Sequence, residues 1–316
     1  MRATSVGGRR GSVGPSEKSS DAREGAVPHH RPAEAKAKGL RSLLRVPPGG
    51  GAVRLRAYDT RATPGGPAGK REAREAVPCT RERLTVLQER LFAQATAGDP
   101  RSVLVVLQGS DTSGKGGAVR HLAGLLNPAG CRITAFKSPT AEEKSHPFLW
   151  RIKRALPHAG QIGIFDRSHY EDVLAARVRG LVPREVWEER FETINSFEAS
   201  LADDGVSVVK IFLHIGYDEQ RARLLSRLDN PCKHWKFTPD DLDDRALWPA
   251  FQKAYEAVLN RCSTETAPWY VVPADRKWYR DWAVGRLLTE HLELIDPQCP
   301  PASFDVEHAR KRLLGD

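Results

Sequence analysis

No stretch of this chain is apolar for long enough to cross a bilayer. The longest uninterrupted apolar run, Val103 to Leu107, is five residues, where a spanning helix needs about 20. A Cys-x-x-Cys pair and the Cys/His spacing of a zinc site are also missing. The 5 cysteines, Cys79, Cys131, Cys232, Cys262 and Cys299, lie far apart, which points to a reducing, cytoplasmic setting. There is no apolar segment of the secretory kind, and acidic Glu17, Asp21, Glu24 and Glu34 argue against an organellar targeting peptide. Internal repeats are absent. Most of the chain also lacks a surplus of either charge. The formal net charge is +9, yet residues 1–75 alone hold 16 basic and 7 acidic side chains, leaving 33 of each sign in residues 76–316. Global basicity is therefore weak evidence for a nucleic-acid partner, none is expected, and a polyanion site must come from local clustering.

What is present is a globular composition: 316 residues, 40% hydrophobic and 28% charged, enough for one large domain or two modest ones with a real core. Residues 1–39, rich in Gly, Ser, Pro, Arg and Lys without hydrophobic period, are expected to form a disordered basic arm. Residues 40–79 alternate apolar pieces with Pro-Gly breakers and are expected to wrap over the body as an irregular segment. Beyond them Leu84, Leu87, Leu91 and Phe92 recur at helical spacing, with Thr80 placed to cap that helix and Gly98 to stop it. VLVVLQ (103–108) reads as a buried strand, and further strands are expected near 132–136, 162–165, 206–213 and 269–272. Helical periodicity separates them, most clearly over 184–202 and 276–294. The alternation predicts an α/β fold with a parallel central sheet and helices on both faces. The main domain is expected over 80–296, with 297–316 as a C-terminal tail.

Gly109-Ser-Asp-Thr-Ser-Gly114-Lys115-Gly116-Gly117 carries the G-x-x-x-x-G-K core of a Walker A loop, directly after the best strand and before a helix. Glycines let backbone N–H groups turn inward around phosphate oxygens, the helix N-terminus adds positive potential, and Lys115 supplies a movable charge. The plainer alternative is a Gly-rich strand-to-helix turn that only packs tightly. The Ser or Thr usual after the lysine is Gly116, so the hydroxyl that helps hold Mg²⁺ in such loops is absent. Asp111 is the natural replacement, since a carboxylate held against phosphates makes sense chiefly with a divalent cation between them; an Asx-type turn bond is its other reading.

Ile162-Gly-Ile-Phe-Asp166 ends an apolar strand in an aspartate, as a Walker B strand does, although a strand-terminal Asp can also cap a helix. Arg167 follows as a phosphate fork, whereas His169 reads equally as a packed or a catalytic histidine. Arg223 and Arg227, at i and i+4, lead to a loop where Lys233 and Lys236 flank Trp235, a phosphate-gripping element over about 221–247. Without the P-loop this element would read as a solvated face around one buried Trp. A second basic cluster, Lys137 with Arg151, Lys153 and Arg154, could guide a chain longer than a triphosphate. Trp235, Trp248, Trp269, Trp278 and Trp282 are read mostly as core or interface.

Gly109 to Gly117, HPFLWR (146–151), FDRSHYEDVL (165–174), KHWKF (233–237) and STETAPWYVVPADRKWYR (263–280), in this order, resemble the polyphosphate kinase type-2 family over about residues 40–296. The resemblance implies a P-loop kinase of thymidylate-kinase-like, three-layer α/β/α architecture with a helical lid. It also implies phosphoryl transfer between inorganic polyphosphate and AMP, ADP or ATP, with Mg²⁺, or Mn²⁺ in its place, as the metal, in a homo-oligomer. Matching positions carry over Lys115 in the loop, Asp111 and Asp166 as the acidic pair, and Arg227, Lys233 and Lys236 in the mobile lid. Asp111, Lys115, Asp166 and Arg227 are the expected catalytic residues, Asp111 and Asp166 the expected metal ligands, and Gly109, Gly114, Gly116, Gly117, Lys137, Arg167, Arg223, Lys233 and Lys236 the expected phosphate-binding set. Glu171 resembles the branch that accepts AMP as well as ADP; Arg177 is grouped with it in the nucleotide site, or instead pairs with it to support the following helix. An ATP-dependent small-molecule kinase on the same fold, and a polyanion-binding protein with a degraded P-loop, are the competing functions.

Overall fold

The computed structural model describes residues 39–49 and 53–315. The arm expected over 1–39 lies outside the described residues except for Gly39, which precedes the first helix. Five β-branched or aromatic runs form strands β1 (Ser102–Gln108), β2 (Cys131–Ala135), β3 (Ile162–Asp166), β4 (Val206–His214) and β5 (Trp269–Pro273). They pair in the order β2-β3-β1-β4-β5, all parallel. Around them run helices α1 (Leu40–Leu44), α2 (Lys70–Glu75), α3 (Val77–Thr96), α4 (Lys115–Leu125), α5 (Ala141–Lys144) and α6 (Trp150–Ala155). The second half adds α7 (Ala175–Val178), α8 (Arg184–Asp203), α9 (Tyr217–Leu228), α10 (Asp240–Ala246), α11 (Trp248–Arg261), α12 (Lys277–Ile295) and α13 (Val306–Leu314). No helix among the described residues is long and apolar enough to cross a membrane.

All of β1 is buried, and its alternation feeds two cores. Leu104 and Val106 join Phe191 and Ile194 of α8 and Val258 of α11, while Val103, Val105 and Leu107 join Leu84 and Leu87 of α3, Leu122 of α4 and Leu287 of α12. This is the expected three-layer α/β/α arrangement. The chain leaves β1 toward β2 and β3 on one side and returns with β4 on the other, so the crevice beyond the C-terminal end of β1 is the place for a ligand.

Three segments differ from the sequence reading. The long helix α3 begins at Val77, with Pro78 in its first turn; Thr80 does not cap it, its Oγ1 instead donating to Ala76 O at 2.9 Å. Proline has no N–H to satisfy there and its φ is already helical. Gly98 does stop the helix, at φ +93. Second, residues 40–79 hold the short helices α1 and α2 and a 3-10 turn, Leu55–Ala57. The cap of α1 comes from 250 residues away, Glu290 accepting from Leu40 N at 3.0 Å and Arg41 N at 2.9 Å, so no local pattern announces it. Val46 N then donates to Trp269 O at 2.8 Å, covering the edge of β5. Third, the tail carries α13, whose N-cap is Asp305, accepting from His308 N at 2.9 Å.

One buried group sets an acid limit on the fold. His291 Nε2 is 2.8 Å from Ser207 Oγ, and burial pushes its imidazole down to about 3. The unfolded chain takes up that proton near the ordinary value of about 6.5, so this residue's stability contribution is intact at pH 7 and is lost progressively as pH falls from about 6.5. At pH 5 the loss is about 2 kcal/mol. Urea unfolding at pH 7 and pH 5 should show His291→Gln losing about 2 kcal/mol less than wild type on acidification; equal losses would contradict this assignment.

Candidate active site

The chain leaves β1 through Gly109 at φ +153, where a Cβ would lie 2.6 Å from Leu213 O, and enters α4 through Gly114 at φ +99. Between them Thr112 is held at φ 60, a conformation that costs a non-glycine residue of order 1–3 kcal/mol. Two cations hold it there, one from the loop itself and one from α9. Lys115 Nζ donates to Gly109 O at 2.7 Å and Ser110 O at 3.2 Å. Arg223, from α9, donates to Thr112 O at 2.9 Å and Ser113 O at 3.1 Å. The backbone N–H groups of Gly114, Lys115 and Gly116 find no acceptor among the described residues, and no side chain caps α4. With carbonyls occupied on one side and N–H groups open on the other, the loop is an anion cradle at a helix N-terminus.

A cavity of about 340 Å³ opens beside this loop. It gathers eight residues singled out from sequence: Gly109, Asp111, Lys115, Lys137, Arg151, Arg167, Glu171 and Trp248. Asp166 ends β3 next to the loop, its Oδ2 3.8 Å from where a Cβ on Gly116 would stand. It does not cap the turn that follows; Ser168 does, accepting from Tyr170 N. Asp111 makes no Asx turn bond; its Oδ2 accepts from Arg227 Nη1 at 3.0 Å. Lys115 is only 8% exposed, and its ammonium is held below the usual lysine range, first by burial and then by the Arg167 guanidinium, against the pull of Asp166, Asp111 and Glu171. Arg167, at φ 66, is opposed by burial, yet Glu171 and the other carboxylates nearby raise it above the ordinary arginine value.

The segment over 221–247 closes on this cavity by ion pairs. Arg227 spans Asp111 and Asp241, at 3.0 and 3.3 Å, and Asp241 is pushed up first by burial, with the Asp111 carboxyl adding to it. Arg179, just after α7, grips both oxygens of Asp244 on α10 at 2.6 and 2.7 Å.

Other residues singled out from sequence are placed differently. All five N–H groups of Arg223 are used within the protein, by Thr112 O, Ser113 O, Ala274 O, Asp275 O and Glu219 Oε1. Arg177 lies 4.5 Å from the Trp187 ring centroid, outside the cavity lining and without a bond to Glu171. Arg151 lines the cavity beside Lys137, buried against Phe136 and donating to Lys137 O at 2.8 Å. Lys233 and Lys236 are exposed and stand outside the lining, and Trp235 is 77% exposed rather than packed. His169 is fully buried, its Nε2 3.2 Å from Glu198, and does not reach the cavity.

Sequence reading missed Gln108, the last residue of β1. Oriented to satisfy its neighbours, its amide donates to Glu171 Oε1 at 3.1 Å and accepts from Ser168 N and Oγ at 3.2 Å. It also missed buried Lys210, whose Nζ donates to Glu198 Oε2 at 2.5 Å, Tyr170 OH at 2.9 Å and Cys262 O at 2.6 Å, anchoring the turn that carries Arg167 and Glu171. A lysine inside a strand read as apolar was the one available signal.

Fold and site together define a P-loop phosphotransferase. The sequence profile of Polyphosphate kinase 2 matches residues 69–300. The chain is 47% identical over 256 residues to the AMP/ADP-polyphosphate phosphotransferase of Meiothermus ruber, covering 81% of this chain and 94% of that one. It is 40% identical over 248 residues to the ADP-polyphosphate phosphotransferase of Rhodopseudomonas palustris, covering 74% and 82%. The crystal structure of Polyphosphate Kinase 2 from Arthrobacter aurescens superposes with a TM-score of 0.85 at 44% identity, covering 89% of this chain and 98% of that one. This chain belongs to the polyphosphate kinase 2 family.

The role of Arg223 as a strut is open to direct test. Arg223→Lys keeps the charge but cannot reach four carbonyls at once, so both turnover and melting temperature should fall. A lysine variant with near wild-type turnover and stability would mean that charge alone matters at this position.

Proposed function

We propose that this enzyme moves a phosphoryl group between inorganic polyphosphate and AMP or ADP. The observation that carries the proposal is the open anion cradle facing Arg167 and Glu171 across one cavity, with a lid held by Arg227. The names of the relatives support the choice of substrates. The terminal phosphates of the donor chain lie on the N–H groups of Gly114 to Gly116 with Lys115 between them. An acceptor phosphate oxygen attacks the terminal phosphorus, the anhydride P–O bond breaks, and the shortened chain keeps the electron pair. Asp166 is placed to take a proton from the attacking phosphate, and Arg227, released from Asp111, neutralises charge on the phosphoryl oxygens.

Asp111 and Asp166 offer hard oxygen donors without a competing thiolate or imidazole, which fits Mg²⁺, an ion that needs one or two carboxylates plus phosphate oxygens. When bound it would neutralise phosphate charge and orient the donor. Gly116 cannot contribute a hydroxyl, so the two carboxylates are the protein's share. Cytoplasmic placement and a homo-oligomeric state belong to the same reading, in keeping with the free cysteines and with exposed Leu313 and Leu314 on α13.

Purified protein supplied with AMP, Mg²⁺ and polyphosphate, and no other nucleotide, should yield ADP and then ATP; turnover only with ATP as donor would favour an ordinary kinase. In that assay Lys115→Ala and Asp166→Asn should each retain less than about a tenth of the wild-type rate with the fold intact, the alanine variant at a lower melting temperature because Gly109 O and Ser110 O lose their donor. Glu171, held by Gln108, disfavours the added charge of ADP. Glu171→Asn should therefore move the ratio of kcat/KM for AMP over ADP toward ADP by about 1–2 kcal/mol; an unchanged ratio would remove acceptor selection from this residue.

A further inference from the structure

A second cavity, of about 240 Å³, lies among α2, α3, α4 and α12 and shares no lining residue with the first. Part of its wall is apolar, from Val77, Leu125 and the rings of Trp278 and Trp282. The rest is polar, with Thr80 and His121 beside the cations Lys70, Arg74 and Lys277. One acid, Asp281, lines it, but that carboxylate is already held by Arg280 Nε and Nη2 at 2.8 and 2.6 Å. Lys70, Arg74 and Lys277 form no ion pair among the described residues. The Lys277 ammonium sits below the ordinary lysine range, through burial first and then through Arg223 and Arg280, with Lys233 adding to the crowding and Glu219 opposing it. Those neighbours lie outside the cavity, whose own lining sets three cations without an ion-pair partner among the described residues beside one already paired acid, a balance that favours an anion.

The two kinds of wall narrow the ligand class. A bare anion makes no use of two indoles, and an apolar ring makes no use of three cations. Pockets that enclose a whole ligand run to about 300–1,000 Å³, so this cavity suits a flat ring whose charged part stays at the rim. The chain's own arm is a poor occupant, since residues 1–39 carry 8 basic and 4 acidic side chains, the same sign as the rim. We propose that this cavity is a second, non-catalytic nucleotide site, with the base against Trp278 and Trp282 and the phosphates on Lys70, Arg74 and Lys277.

The site also has a route to the P-loop. Arg280, which holds Asp281, packs on the loop's outer side: a Cβ on Gly114 would stand 1.9 Å from its Nη1, and one on Gly117 2.7 Å from its Nη2. Phosphates arriving beside Asp281 disturb that ion pair and so bear on the loop. None of this depends on which donor the loop accepts.

Calorimetric titration of the full chain with ADP, without polyphosphate, tests the proposal. Two ADP per chain are expected. Lys70→Ala/Arg74→Ala, a pair of exposed positions on α2, should weaken the second event at least tenfold and leave the first, and turnover at low nucleotide, unchanged. Lys277→Gln gives the same comparison from a different helix should the double variant fold poorly. Tripolyphosphate should compete for the second site much less well than ADP. A single ADP per chain, a second event indifferent to both variants, or equal binding of tripolyphosphate would each overturn the proposal, the last by making the cavity a stop for a bare phosphate chain.

Discussion

The carbonyls of Gly109, Ser110, Thr112 and Ser113 are taken by two cations, Lys115 and Arg223. A loop that offers its N–H groups to a phosphate must put its carbonyls somewhere, because a buried unpaired carbonyl costs about 1–3 kcal/mol. Arg223 solves this from α9, and with its two Nη2 N–H groups it binds Ala274 O and Asp275 O beyond β5. One side chain thus ties the lid helix, the phosphate loop and the last strand into a single piece. Arg280 closes the loop from its remaining side against Gly114 and Gly117.

The turn after β3 rests on a different device. Lys210, Glu198, Tyr170 and His169 form a buried polar cluster under the turn that follows β3. Lys210 opposes burial by spending its three N–H donors, and Glu198 is held below the usual carboxylate range because the attraction of Lys210 and the bond from His169 outweigh its own burial. Pulling His169 and Tyr170 inward leaves Arg167 and Glu171 facing the cavity. Gln108 then joins the start of the phosphate loop to Glu171, so the loop and the turn after β3 meet at the end of β1.

Much of this was legible in the sequence because it is local. Five strands, the loop after β1, and the carboxylate ending β3 are runs of adjacent residues, and hydrophobic period and glycine spacing report them. Resemblance of ordered motifs supplied the family. What escaped depends on residues distant in sequence. Arg223 and Arg227 share a helix face at i and i+4, and spacing gave them one role; only the fold shows that one binds carbonyls while the other reaches carboxylates. Glu290 caps α1 across 250 residues, and Lys210 looked like a blemish in an apolar strand until its partners on α8 and after β3 came together. Arg177 and Arg179 differ by two positions, enough to send the first toward Trp187 and the second to the lid.

The account stands most directly on the claim that the pinned loop receives the donor chain. Amide hydrogen exchange of residues 109–118 should slow when short-chain polyphosphate and Mg²⁺ are added without any nucleotide, since the open N–H groups of Gly114 to Gly116 would then be bonded. Exchange that is unchanged by polyphosphate and slows only with ATP would contradict it.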